Sequence, residues 1–363
     1  VDYYGLAKYD GSALYEYPNN DVGISEWGSN NFMRSRGEVR SFLQSCANYW
    51  LQTFHFDGLR MDAISRIIYW HGDEKRGVNG NAVDFIKYMN QGLKDRNPGC
   101  FLAAEDSTNF SNVTKSVSEG GLGFDYKWDM GWMHDTLSYF QMSPDDRYNN
   151  YHKLTFSMMY YYNEKFLLPL SHDEVVHGKA TILQKMYGDY DIKFPQARAF
   201  YMYMMVHPGK KLNFMGNELG QFREWDEKRE QDFMLLDFPI HRAFNNYIAD
   251  LNKNYLSHSA FFGKEYDYDG FKWLDCNSPD RLMYSILRED NKSRIFAIFN
   301  FSKYEQIDYR IELPDNKGVN ILMNSDWKCY GGNADENDVF WHIDGNTLTC
   351  TMPRFSAALF ELK

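Results

Sequence analysis

Phe56-Asp57-Gly58-Leu59-Arg60-Met61-Asp62-Ala63 reads as a short buried strand that ends in a carboxylate. Leu59 and Met61 are apolar at a period of two, Phe54 and Phe56 lead in, and Gly58 lets a neighbouring backbone pack closely. Arg60 precedes Asp62 by two positions and so shares its face of the strand. In a parallel barrel, a charged residue at the C-terminal end of a strand reads as catalytic, not structural. Two later apolar runs repeat the design: Phe101-Leu102-Ala103-Ala104-Glu105-Asp106, and Phe166-Leu167-Leu168-Pro169-Leu170-Ser171-His172-Asp173-Glu174. Three strand ends, each tipped with acid, suggest one shared site.

Helices alternate with these strands. Val39, Phe42, Leu43, Cys46, Ala47, Trp50, Leu51 and Phe54 fall at helical spacing and lead directly into the Asp62 strand. Ala82, Phe85, Ile86, Met89 and Leu93 mark a second helix, closed by Asn97-Pro98-Gly99. A third places Ala197, Phe200, Tyr201, Met204 and Met205 on one face, and Lys211 to Glu218 follows as a fourth strand ending in an acid. A last helix carries Phe244, Tyr247, Ile248, Leu251 and Tyr255. Repeated strand–helix units mean a parallel sheet, and the acid-tipped ends favour a (β/α)8 barrel over a doubly wound sheet. Residues 1–32 read as an extended loop over this scaffold. Near residue 258 the texture turns to short β-type runs, Leu282–Leu287, Arg294–Asn300, Ile307–Ile311 and Ala357–Leu362, separated by polar turns. The expected organisation is a partial barrel over 1–257 and an antiparallel β-sandwich over 258–363.

Composition narrows the class. The 363 residues carry 50 acidic against 39 basic side chains, and no basic patch that would suit nucleic acid. No apolar run approaches the ~20 residues of a membrane span. The five cysteines are scattered and never form a C-x-x-C pair, which fits a reduced, cytoplasmic protein without zinc. The chain begins at Val1 without an initiator Met, so it reads as a fragment whose natural N-terminus lies elsewhere.

Asp62, Glu105 and Asp173 are the candidate catalytic groups. A retaining glycosidase-type site needs a carboxylate nucleophile and a protonated carboxyl about 5–5.5 Å away. Arg60 beside Asp62 favours an ionised nucleophile, and a further acid nearby raises one carboxyl enough to hold its proton. A single Asp at a strand end is as readily a helix N-cap, but three in register are not. His172 and His177 lie at i, i+5, which does not bring two imidazoles onto one helical face; hydrogen bonding to a neutral substrate is favoured over metal binding. No metal or cofactor is expected. Trp128 and Trp132 suit sugar stacking and core packing equally, and His134 is a further candidate contact.

Asp57–Ala63, Ala104-Glu105-Asp106-Ser107 and Leu170–Glu174 resemble the second, third and fourth conserved regions of the α-amylase superfamily, at the ends of its fourth, fifth and seventh barrel strands. Gly120–Phe124 with Lys127–Thr136, Ser171–Lys179 and Phe214–Glu218 are similar to the corresponding segments of the bacterial-type glycogen branching enzymes within it. That resemblance implies barrel strands 4 to 8, α-1,4-glucan as donor and acceptor, and a double displacement that builds an α-1,6 branch. It implies Asp62 as nucleophile, Glu105 as general acid and then base, and Asp173 as stabiliser of the oxocarbenium-like transition state. Arg60 and His172 would hold the reacting sugar. The superfamily's first conserved region, Asp-x-x-x-x-His, and its first three barrel strands have no counterpart here, which implies the C-terminal part of a longer enzyme.

Overall fold

A computed structural model describes Gly5 and residues 7–363; of the loop expected over 1–32, residues 1–4 and 6 lie outside the described residues. The chain divides into two compact units, residues 1–129 with 163–166, and residues 130–162 with 167–363.

In the first unit a single turn, α1 (Asn20–Gly23), precedes the long helix α2 (Gly37–Thr53), which hands over to β1 (Gly58–Met61). After α3 (Ser65–Ile68) and α4 (Gly80–Arg96) come β2 (Phe101–Ala104) and β3 (Tyr126–Trp128). β2 is parallel to β1, with Gly58 opposite Phe101 and Met61 opposite Ala104, and β3 is parallel to β2. Gly58 earns its place sterically, because a Cβ there would lie 2.4 Å from the Phe101 carbonyl oxygen. Leu51, Ile64, Ile68, Phe85, Ile86, Met89, Leu93, Leu102 and Phe124 form the core, and each such side chain removed from water contributes about 1.5–3 kcal/mol. α2 forms where the helical spacing predicts it and stops at Thr53, one residue short of the expected Phe54, but only part of its expected apolar face is covered. Val39 and Leu51 are buried, whereas Phe42, Trp50 and Phe54 stay 49%, 40% and 51% exposed. The expected lead-in is also corrected: Phe54 caps α2 and Phe56 lies in the connection, so the strand starts only at Gly58.

The second unit begins with α5 (Met130–Gln141) and continues with β4 (Phe166–Leu170), α6 (Ile182–Lys185), α7 (Tyr190–Val206), β5 (Lys210–Asn213) and α8 (Pro239–Ser257). β4 and β5 are parallel, in register from Leu167 opposite Lys210 to Leu170 opposite Asn213. β5 ends four residues before Asn217–Leu219 forms a 3-10 turn, so Glu218 is a turn residue and not a strand tip. Its carboxylate accepts the Gly216 N–H at 2.9 Å.

After α8 the structure is antiparallel. β6 (Phe271–Ser278), β7 (Met283–Glu289), β8 (Arg294–Asn300), β10 (Val319–Asn324) and β13 (Ser356–Leu362) make one sheet in the order β10-β13-β8-β7-β6. β9 (Gln306–Glu312), β11 (Trp341–Asp344) and β12 (Thr347–Met352) make the second, in the order β11-β12-β9. Met283, Phe296, Ile298 and Phe360 of the larger sheet share a core with Ile311, Leu348 and Met352 of the smaller one. The alternate residues Tyr284, Ile286, Ala297, Phe299 and Leu359 join the core built around α5, α7 and α8. With both faces covered, β7, β8 and β13 read as nearly continuous apolar runs. Among the described residues no helix is long and apolar enough to cross a membrane.

Candidate active site

β1 and β2 end side by side, and their registers set the first half of the site. Arg60, the third residue of β1, reaches both carboxylates. Its Nη2 lies 2.8 Å from Asp62 Oδ1, and its Nη1 donates to Glu105 Oε2. The same Glu105 oxygen accepts the Ala63 N–H at 3.4 Å. Ala63 holds a left-handed backbone (φ 39°), unusual for a residue with a Cβ, at the turn just after Asp62.

The two acids differ in setting. The Asp62 side chain is 73% exposed and the Glu105 side chain 18%. Burial pushes the Glu105 carboxyl up to about 7, the hydrogen bond and negative charge of Asp62 push the same way, and the Arg60 charge opposes them. One open carboxylate next to one carboxyl that keeps its proton near neutrality is the division of labour that acid–base and nucleophilic work on an acetal requires.

Beneath them lies support, of which sequence reasoning missed the Lys127–Asp106 pair. The Trp128 ring, 5% exposed, packs under the Arg60 guanidinium, 4.6 Å from Cζ to ring centroid. Lys127 Nζ pairs with Asp106 Oδ2 at 2.9 Å and donates to the Thr108 carbonyl, with both charged side chains buried. Their signal was indirect: Asp106 and Lys127 each adjoin a residue already singled out.

In the second unit the chain turns sharply after β4. Ser171 and Glu174 form a capping box, Ser171 Oγ accepting the Asp173 N–H while Glu174 Oε2 accepts the Ser171 N–H at 2.6 Å. The Ser-x-x-Glu spacing announces this device in the sequence. It presents His172 and Asp173 with side chains 37% and 40% exposed, His172 Nε2 lying 3.5 Å from Asp173 Oδ1. Phe214 and Trp225 flank the imidazole at 5.8 and 6.1 Å between centroids.

The other candidates separate. Asp62, Glu105, Arg60 and Trp128 belong to the first unit, and His172, Asp173, Trp132 and His134 to the second. Trp132 is 1% exposed on the inner face of α5, its ring tilted against His207 at 5.9 Å, so it is a core residue and has no face for a sugar. His134 stands exposed on the same helix. Trp128 is covered by Arg60, so its ring supports the cation and is not an open platform.

Parallel strands tipped with acids, followed by an antiparallel C-terminal domain, make the fold of the α-amylases. The α-amylase of Geobacillus thermoleovorans superposes with a TM-score of 0.67 at 14% identity, covering all of this chain and 75% of that one. That of H. orenii gives 0.63 at 15% identity, over 93% and 67% of the two chains. Residues 273–363 match the alpha amylase C-terminal all-beta domain. More particularly, the chain is similar to bacterial 1,4-alpha-glucan branching enzymes, GlgB. The protein of Bacillus cereus and that of Bacillus thuringiensis subsp. konkukian are each 41% identical to it over 339 residues, 93% of this chain and 53% of theirs. It therefore spans about half the length of the curated relatives it matches.

Proposed function

We propose that this chain carries the reaction centre of a 1,4-α-glucan branching enzyme of cytoplasmic glycogen synthesis, with the catalytic barrel portion ending at residue 257 and the β-domain starting at 258. In this reading an Asp62 carboxylate oxygen attacks C1 of the donor glucose as the C1–O4 bond breaks, and Glu105 gives its proton to the departing O4. A 6-hydroxyl of an acceptor glucan then attacks C1, displacing Asp62 and returning a proton to Glu105. Two inversions leave the anomeric configuration retained. Asp173 stabilises the oxocarbenium-like charge, and Arg60 and His172 hold the sugar. The observation that supports this reading best is the Arg60 bridge between an exposed carboxylate and a carboxyl pushed up to about 7 at two adjacent strand ends.

The test is a proton NMR time course on amylose with the full-length protein, following the α-1,6 anomeric signal and the reducing ends in one tube. Growth of α-1,6 signal without new reducing ends is expected. Reducing ends rising without α-1,6 signal would make the enzyme a hydrolase and overturn the branching assignment.

A further inference from the structure

Trp128 and Trp132, the expected sugar-stacking rings, are both occupied, the first by Arg60 and the second by the core. Two other tryptophans of the first unit stand exposed, Trp27 by 67% and Trp50 by 40%. Trp50 packs with Phe54 and Phe56, at 4.8 and 5.8 Å between centroids, so its faces go to its own neighbours. Trp27 is placed differently. Its ring rests on a cation, the Arg66 guanidinium, 5.1 Å from Cζ to ring centroid, and most of the residue stays in water.

The loop that carries Trp27 is braced. Residues 25–28 make a tight turn in which the Gly28 N–H donates to the Ser25 carbonyl at 3.0 Å, with Gly28 left-handed at φ 81°. The Ser25 N–H donates to the Ser29 carbonyl at 2.8 Å, the two hydroxyls lie 2.7 Å apart, and the Asn31 N–H donates to the Gly23 carbonyl at 2.8 Å. Two ion pairs fasten this loop to the segment after β1, Glu26 to Arg66 and Asp21 to Arg76. Arg66 in turn belongs to the site's own turn. Its backbone N–H donates to the carbonyl of Ala63, the left-handed residue directly after Asp62, and its Nη1 donates to the His71 carbonyl at 2.8 Å. Trp27 is thereby held about one turn of chain beyond Asp62, past the C-terminal end of β1, the edge at which parallel sheets receive ligands. The turn, its braces and both ion pairs are made by other groups. The indole adds only an open face.

We propose that Trp27 is a stacking platform for a glucose unit of the bound glucan, outside the subsite of the reacting sugar, and that Arg66 positions it. This rests on the reading of Asp62 and Glu105 as a glucan-cleaving pair. The C–H face of a pyranose is flat and apolar and lies well on an indole, and a ring already held in place loses little freedom on binding. A contact remote from the C1–O4 bond is made alike in the ground state and the transition state, so it sets KM and not kcat.

The experiment compares the full-length wild-type protein with Trp27→Ala, Trp27→Phe, Arg66→Met and the Trp27→Ala, Arg66→Met double variant. It measures kcat and KM on amylose, amylose affinity by gel retardation, and the melting temperature. Trp27→Ala is expected to raise KM and weaken retardation by about tenfold, with kcat and melting temperature retained. Trp27→Phe, with a smaller ring, should recover part of the loss. Arg66→Met should raise KM when Trp27 is present and add little when it is absent, as a residue that acts through the ring must. Unchanged KM and retardation in Trp27→Ala, with the wild type cleaving amylose, would overturn the platform and leave Asp62 and Glu105 as the cleaving pair. A fall in kcat and melting temperature at unaltered KM would mean that the ring only packs, and would overturn it too. A wild type that neither binds nor cleaves amylose would overturn both readings.

Discussion

Lys127 Nζ lies 2.9 Å from Asp106 Oδ2 with both side chains out of water, directly beneath the strand end that carries Glu105. A buried pair of this kind is a weak net stabiliser when intact, yet losing one partner strands a charge. Lys127→Met is therefore expected to cost about 3–5 kcal/mol, read from the urea midpoint, while Lys127→Met with Asp106→Asn recovers part of it. A single variant as stable as the parent would show that the Thr108 N–H and hydroxyl, which also donate to Asp106, satisfy its charge without Lys127.

Glu105 sets a pH dependence. Its folded carboxyl is raised from the ordinary 4.5 of a glutamate to about 7, so the folded state binds the proton more tightly than the unfolded chain does. The resulting stabilisation is fully present below about 4.5 and is lost as pH rises through about 7. Glu105→Gln, uncharged throughout, should flatten this part of the melting temperature against pH between 4.5 and 7. The alkaline limb of activity should fall near the same upper value, because Glu105, as the proposed general acid, must hold its proton. Parallel wild-type and Glu105→Gln stability curves would refute the raised carboxyl.

Removing Asp62, the proposed nucleophile, should separate chemistry from recognition. Asp62→Ala is expected to reduce glucan transfer by several orders of magnitude and to leave amylose affinity, read by gel retardation, largely intact. Loss of binding in proportion to transfer would mean that Asp62 works mainly as a contact.

Arg288 tests the second unit. Its fully buried guanidinium donates to the carbonyls of Gly270 (3.1 Å), Val206 (2.8 Å) and Phe261 (2.8 Å). Arg288→Met leaves three carbonyls without that donor and should destabilise by about 3–5 kcal/mol. Arg288→Lys should recover little, since one ammonium cannot reproduce a planar fork. Full recovery by lysine would mean that charge alone matters there.

The architecture was legible where periodicity is long. The helices over Gly37–Thr53 and Tyr190–Val206, the acid-tipped strands at Asp62, Glu105 and His172-Asp173, and the antiparallel runs after residue 258 all followed from spacing and turn residues. β3 was not read as a strand, because three residues carry no measurable alternation. Glu218 was misread as a strand tip because Phe214-Met215-Gly216 looks like continued strand, whereas Gly216 takes a left-handed φ of 93° and turns the chain. Trp132 shows the limit for aromatic residues: helical spacing cannot say whether a ring faces core or solvent, and here it faces core. Least visible were Lys185 and Glu224, which hold the loop after Asp173 and whose partners are backbone groups that leave no complementary residue in the sequence.

The stacking of Trp128 under Arg60 has a practical consequence. A guanidinium that bridges two carboxylates sits against the face of an indole, so the electric field on that ring changes whenever a proton, a covalent bond or a sugar alters the balance among Arg60, Asp62 and Glu105. The difference in emission between the parent and Trp128→Phe should therefore follow formation and breakdown of the proposed glycosyl-enzyme in real time, giving stopped-flow optics a signal that no added dye has to supply.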